Sequence, residues 1–145
     1  MKAETKFDEV YKELSSIREN ELSFNEADTV RFVKSQIQKM VSNLSAMEKA
    51  SQQKEWDELL GNFLQLLEKI NLINVYLMQP TSLSMLMKER IADVVEKLIS
   101  SISFSISEAV LMIKEVSKEM GVENINISVS GTPATINVSI SMKKA

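Results

Sequence analysis

Residues 125–140 read INISVSGTPATINVSI, and the period of that stretch decides how the chain ends. Ile125, Ile127 and Val129 alternate with Asn126, Ser128 and Ser130, while Ile136, Val138 and Ile140 alternate with Thr135, Asn137, Ser139 and Ser141. Successive side chains of a strand point to opposite faces, so this pattern predicts two strands, each apolar on one face and polar on the other. Gly131, Thr132, Pro133 and Ala134 separate them as a four-residue loop. Pairing Ser130 with Thr135 sets Val129 opposite Ile136, Ile127 opposite Val138 and Ile125 opposite Ile140. Every apolar residue then meets an apolar partner, and a slip of one residue would lose all three matches. The stretch is a β-hairpin, with residues 143–145 as a loose tail.

Two strands alone are marginal in water, so the Ile/Val face needs cover. Either the hairpin caps helices of its own chain, or it adds strands across subunits or captures an extended peptide by β-augmentation. Both outer edges are expected to stay open for pairing. The candidate interaction residues are therefore Ile125, Ile127, Val129, Ile136, Val138 and Ile140.

Upstream of Gly121 the period changes to that of helices. Phe7, Val10, Tyr11, Leu14 and Ile17 draw one stripe on a helix from about Glu4 to Arg18. Ser23 and Glu26 have the reciprocal capping-box spacing that satisfies two orphan N–H groups at a helix start. Val30, Val33, Ile37, Met40, Leu44 and Met47 then alternate gaps of three and four, a heptad seam on a helix from about Phe24 to Ala50. Such a seam serves either as a contact between neighbouring helices of one bundle or as a coiled coil between chains.

Beyond the seam, Trp56, Leu59, Leu60, Phe63, Leu66, Leu67, Ile70, Ile73 and Leu77 form a wider apolar face. A turn near Gln52 would make an antiparallel helical hairpin; a continuous helix competes, because no Gly or Pro enforces a break there. Pro80 ends the third helix near Met78. Thr81, Ser82 and Ser84 can each cap a fourth, with Leu83, Met87, Ile91, Val94, Val95, Leu98 and Ile102 facing inward. From Ile102 to Ser107 strand-like alternation and a helical stripe coincide, and Ser105 with Glu108 has capping-box spacing that would suit a kink. The reading preferred here is helix to about Met120, with Gly121 as the left-handed C′ residue. The fold class expected is mainly α: an antiparallel bundle of four to five helices over residues 1–121, with a C-terminal β-hairpin and short tail over 122–145 as part of the same single domain.

The chain has 145 residues, 44% hydrophobic and 26% charged, with three Gly and two Pro, which suits one globular core. It contains no Cys and no His. Disulfides, thiolate metal sites and cysteine nucleophiles are excluded by inventory, and the commonest general base and metal ligand is missing. Serine is plentiful, but no Gly-x-Ser-x-Gly elbow or Gly-rich phosphate loop occurs. Met1 to Val10 lacks the apolar run of a secretory signal, and no span of about eighteen uncharged apolar residues occurs. A cytoplasmic protein is expected, or a virus- or plasmid-encoded one inside a cell.

Carboxylates are the one abundant catalytic currency. Glu55 and Glu58 form an E-x-x-E pair, and Glu89, Asp93 and Glu96 share another helical face. This is similar to the paired magnesium motifs of helical nucleotide pyrophosphatases, but Arg90 stands where the second motif needs a carboxylate. With Lys54, Lys88 and Lys97 nearby, these groups read as solvated ion pairs, and neither a cofactor nor a metal is expected. Nucleic acid is disfavoured by the net charge of −3. Its conceivable contacts are Arg31 and Lys34, with Gln38, Lys143 and Lys144 beside them. Nine methionines serve as core filler or as an adaptable groove.

The sequence thus reads as a non-enzymatic assembly or protein-interaction module whose partner is protein, in the first instance a second copy of itself. Two alternatives remain: a small scaffold subunit of a nucleoprotein complex, and a hydrolase built on carboxylates and a divalent metal.

Overall fold

The computed structural model describes residues 1–80, 88–130 and 135–143. Among them are five helices and a hairpin: α1 (Lys2–Ser15), α2 (Phe24–Gln52), α3 (Trp56–Leu77), α4 (Glu89–Glu115), α5 (Ser117–Met120), β1 (Val122–Ser130) and β2 (Thr135–Met142). The expected caps of Thr81, Ser82 and Ser84, and the inward positions of Leu83 and Met87, lie outside the described residues.

Ser23 starts α2 as its spacing requires. The Ser23 N–H donates to Glu26 Oε1 at 2.9 Å, and the Glu26 N–H donates to Ser23 Oγ at 3.2 Å. All six seam residues are buried within this one chain, so the seam has no exposed side chain left for a coiled coil with another. A second column at heptad spacing, Thr29, Gln36, Asn43 and Ala50, is also buried. Asn43 Nδ2 donates to Asn62 Oδ1 at 3.1 Å and to Gln65 Oε1 at 3.0 Å. A buried polar layer of this kind fixes the register of two packed helices.

The turn near Gln52 is present. The Glu55 N–H donates to the Ala50 carbonyl at 2.9 Å and the Lys54 N–H to Ser51 at 3.3 Å, the paired bonds of a Schellman motif. Its C′ residue is Lys54, with a φ of 57° where glycine is usual. A continuous helix does not form despite the absence of Gly, because a lysine adopts the left-handed position. From it α3 returns antiparallel to α2, bringing Tyr76 to stack on Phe32 with ring centroids 3.7 Å apart.

α1 ends earlier than its stripe suggests. Ser16 Oγ bonds back to the Glu13 carbonyl at 2.6 Å, and Ile17 is buried just beyond the helix. A single 3₁₀ turn at Glu19–Glu21, unforeseen in the pattern, leads on to α2. α1 runs antiparallel to α4: Glu13 meets Lys97 at 2.6 Å, while the Ala3 N–H donates to Glu108 Oε1 at 2.6 Å.

The ambiguous stretch from Ile102 to Ser107 is helix, in the middle of α4. The helix does not restart at Ser105, whose buried Oγ donates to the Ile102 carbonyl at 2.7 Å. Glu108, free of any local cap, serves α1 instead through the Ala3 and Lys2 amides. Helix breaks once at Val116, then α5 closes on Gly121 at a φ of 77°.

The hairpin has the expected register, with Ser130 opposite Thr135, Val129 opposite Ile136, Ile127 opposite Val138 and Ile125 opposite Ile140. Residue Glu123 is left over between Val122 and Asn124, where the register shifts as at a bulge. Its base is tied to the end of the bundle by the Lys143 N–H, which donates to the Gly121 carbonyl at 2.7 Å. The core is one cluster running from Ala3 to Val122, with Phe7, Ile37, Met40, Leu44, Met47, Phe63, Leu66, Ile70, Leu98 and Ile113 among its fully buried members. Met40 and Met47 are filler in this core, whereas Met78 is exposed.

Candidate interaction surface

The six apolar residues of the hairpin divide into two groups. Ile125, Ile136, Val138 and Ile140 pack against the core cluster. Ile127 and Val129 stand apart at 45% and 65% exposed. The hairpin therefore covers its own bundle with β2 and the base of β1, while the outer part of β1 stays uncovered among the described residues.

Asn71, in the second half of α3, explains this asymmetry. Its Nδ2 donates to the Ile136 carbonyl at 3.1 Å, and its Oδ1 accepts the Ile136 N–H at 2.9 Å. One side-chain amide thus imitates the backbone of a neighbouring strand and occupies the β2 edge at Ile136. The expectation of two open edges is corrected at one position: α3 occupies the β2 edge at Ile136. Nothing in the sequence marks Asn71, because the contact spans 65 residues and one asparagine in a helix looks like any polar surface residue.

The same pair of bonds fixes where the other edge points. Both polar groups of Ile136 face α3, so Ile136 and Val129 form a wide pair that exchanges no backbone bond across the hairpin. Alternation makes Ile127–Val138 and Ile125–Ile140 wide pairs as well. The N–H and C=O groups of Ile125, Ile127 and Val129 consequently point outward along the free side of β1. Among the described residues the sheet has no third strand. From Asn124 to Ser130 this edge carries no Lys, Glu, Asp, Arg or Pro, the residues with which natural edges are usually blunted.

On the far side of β2 a groove of about 540 Å³ runs between that strand and α3. Leu64, Leu72 and Val75 line it and are exposed, Leu64 to 56%. The hairpin and α3 therefore present apolar side chains on both flanks of β2.

Of the residues considered for nucleic acid, Arg31, Lys34 and Gln38 are engaged otherwise, and Lys144 lies outside the described residues. Arg31 Nη1 lies 3.0 Å from Glu19 and Nη2 lies 3.1 Å from Asp28, and these carboxylates, the Asp28 hydrogen bond foremost, hold its guanidinium more firmly protonated than usual. Lys34 sits over the Tyr11 ring at 5.1 Å, and Gln38 donates to the Tyr11 hydroxyl at 3.1 Å. Among the carboxylates, Glu55, Glu58, Glu89, Asp93 and Glu96 are all exposed, and no group of three or more acidic side chains that could hold a metal occurs among the described residues. Lys97, read as a partner for its own helix, reaches across to Glu13, and that hydrogen bond and charge raise its pKa. No helix of the described residues is long and apolar enough to cross a membrane.

Comparison of the chain with protein-family models, with curated proteins and with solved structures found no match.

Proposed function

We propose that this protein is an assembly module that works by associating with protein, its principal working surface being the hairpin and the adjoining face of α3. The observation that carries the reading is the outer half of β1, where Ile127 and Val129 are exposed beside a row of backbone N–H and C=O groups that no strand among the described residues pairs. An exposed apolar strand edge without charges is an interaction site or an aggregation hazard, and with Asn71 engaging the β2 edge at Ile136 the β1 edge is the more open point of attachment. Carboxylate–metal hydrolysis finds no support in the dispersed acidic groups, and phosphate binding finds little in an Arg31 already held by two carboxylates.

The test is the mass of the chain in solution by light scattering over a wide concentration range, for the wild type and for Ile127→Lys/Val129→Lys. Two lysines on the edge should return a multimeric wild type to single chains without loss of helical circular dichroism. A wild type that scatters as one chain at every concentration contradicts self-association.

A further inference from the structure

We propose that the partner of β1 is β1 of a second copy, paired antiparallel about a two-fold axis at Ile127, so that two hairpins join into one four-stranded sheet. The inference rests on the reading of the hairpin as an assembly surface and adds the occupant and the register. Three observations carry it. The outward N–H and C=O groups belong to Ile125, Ile127 and Val129, evenly spaced about Ile127. Centring the axis there sets Ile125 of one copy opposite Val129 of the other, Ile127 opposite itself, and Asn126 opposite Ser128, so apolar meets apolar and polar meets polar throughout. Asn124 to Ser130 carries no charge, so self-pairing brings no like charges together, and the edge offers no counter-charge by which a basic or acidic peptide would be chosen in preference.

The axis is also compatible with the backbone. A two-fold axis between antiparallel strands passes through a symmetric pair, and Ile127 directs both of its backbone groups outward, as a pair that exchanges two hydrogen bonds requires. Because that axis is perpendicular to the sheet, both Ile/Val faces lie on the same side, and Ile127 and Val129 of each copy gain apolar neighbours from the other. The resulting sheet has four strands, above the two that are marginal alone. Its outer strands are the β2 strands, on each of which Asn71 already holds both backbone groups of Ile136, so a further strand would have to displace that contact.

The chain contains no cysteine, which makes single thiols clean reporters. Opposed residues of such a pair have Cα atoms about 5.5 Å apart, within the range a disulfide spans. Under mild oxidation Ile127→Cys should convert to a covalent dimer. Ile125→Cys alone and Val129→Cys alone should not, because each would face its own copy across four residues, more than about 13 Å, whereas a mixture of those two variants should cross-link. Ile127→Pro removes one outward N–H without touching the bonds to β2, a placement edge strands tolerate, and should give single chains of unchanged helical content. If the wild type is multimeric yet Ile127→Cys fails to cross-link, or Ile127→Pro remains a folded multimer, the register is overturned while hairpin-driven assembly can stand. If the wild type is a single chain at every concentration and the introduced thiol stays reactive, the dimer is overturned and the edge is left for an extended peptide.

Discussion

Lys54 occupies a left-handed position in the turn between α2 and α3, where a side chain costs about 1–2 kcal/mol that glycine avoids. Its ion pair with Glu119 at 3.4 Å joins two exposed side chains and offsets little of that cost. Lys54→Gly should therefore stabilise the chain by about 1 kcal/mol, read as a higher urea midpoint at unchanged slope; a lower midpoint would contradict the strain argument. Glu26 is the residue through which acid should act. The Ser23 N–H, together with Lys88 Nζ at 3.2 Å, holds its carboxylate below the ordinary value of 4.5. A lowered native pKa means that the unfolded chain takes up the proton first. The stabilisation is then complete above that ordinary value and is lost as pH falls through the lower native one. Glu26→Gln keeps the capping-box geometry but removes the charge. The stability gap between wild type and Glu26→Gln should be widest at neutral pH and should close as pH falls below 4.5; a gap that stays constant would show that charge is not its source.

Two side chains decide how elements are held together. Glu108 accepts the Ala3 and Lys2 amides at the start of α1, so Glu108→Ala should cost about 1 kcal/mol, the usual worth of a helix cap. Asn71→Ala removes two hydrogen bonds to Ile136 and should cost about 1–2 kcal/mol. Its effect should be local: hairpin amides exchange faster while those of α2 keep their protection, and equal loosening of both would contradict a docking role. These contacts also mark where the sequence was legible. Elements were readable wherever period and capping chemistry agree, as in the seam from Val30 to Met47, the Ser23–Glu26 box and the hairpin register. Where two periods coincide, from Ile102 to Ser107, only packing could decide, and a helix with Ser101, Ile102 and Ser105 inward was chosen. Glu108 illustrates the limit in the other direction: its spacing from Ser105 suggested a local cap, but the free amides it satisfies belong to a helix 105 residues away in sequence.

At the scale of the molecule, the bundle consumes its own heptad seam and leaves the hairpin half covered. Burying Phe7, Phe63, Ile37 and their neighbours contributes about 1.5–3 kcal/mol for each side chain, which makes the helices a stable platform for the strands. Which strand would stay bare was not legible, because the three Ile/Val pairs look equivalent in sequence. The distinction comes from α3, which meets β2 through Asn71, while Ile127 and Val129 on β1 stay exposed. Whether the bare edge of β1 is a pairing surface can be read from amide hydrogen exchange as a function of protein concentration. The Ile125, Ile127 and Val129 amides should exchange quickly in dilute solution and become protected as concentration rises, while Asn126 and Ser128, paired with β2, stay protected throughout. Exchange at those three amides that stays fast at every concentration would contradict it.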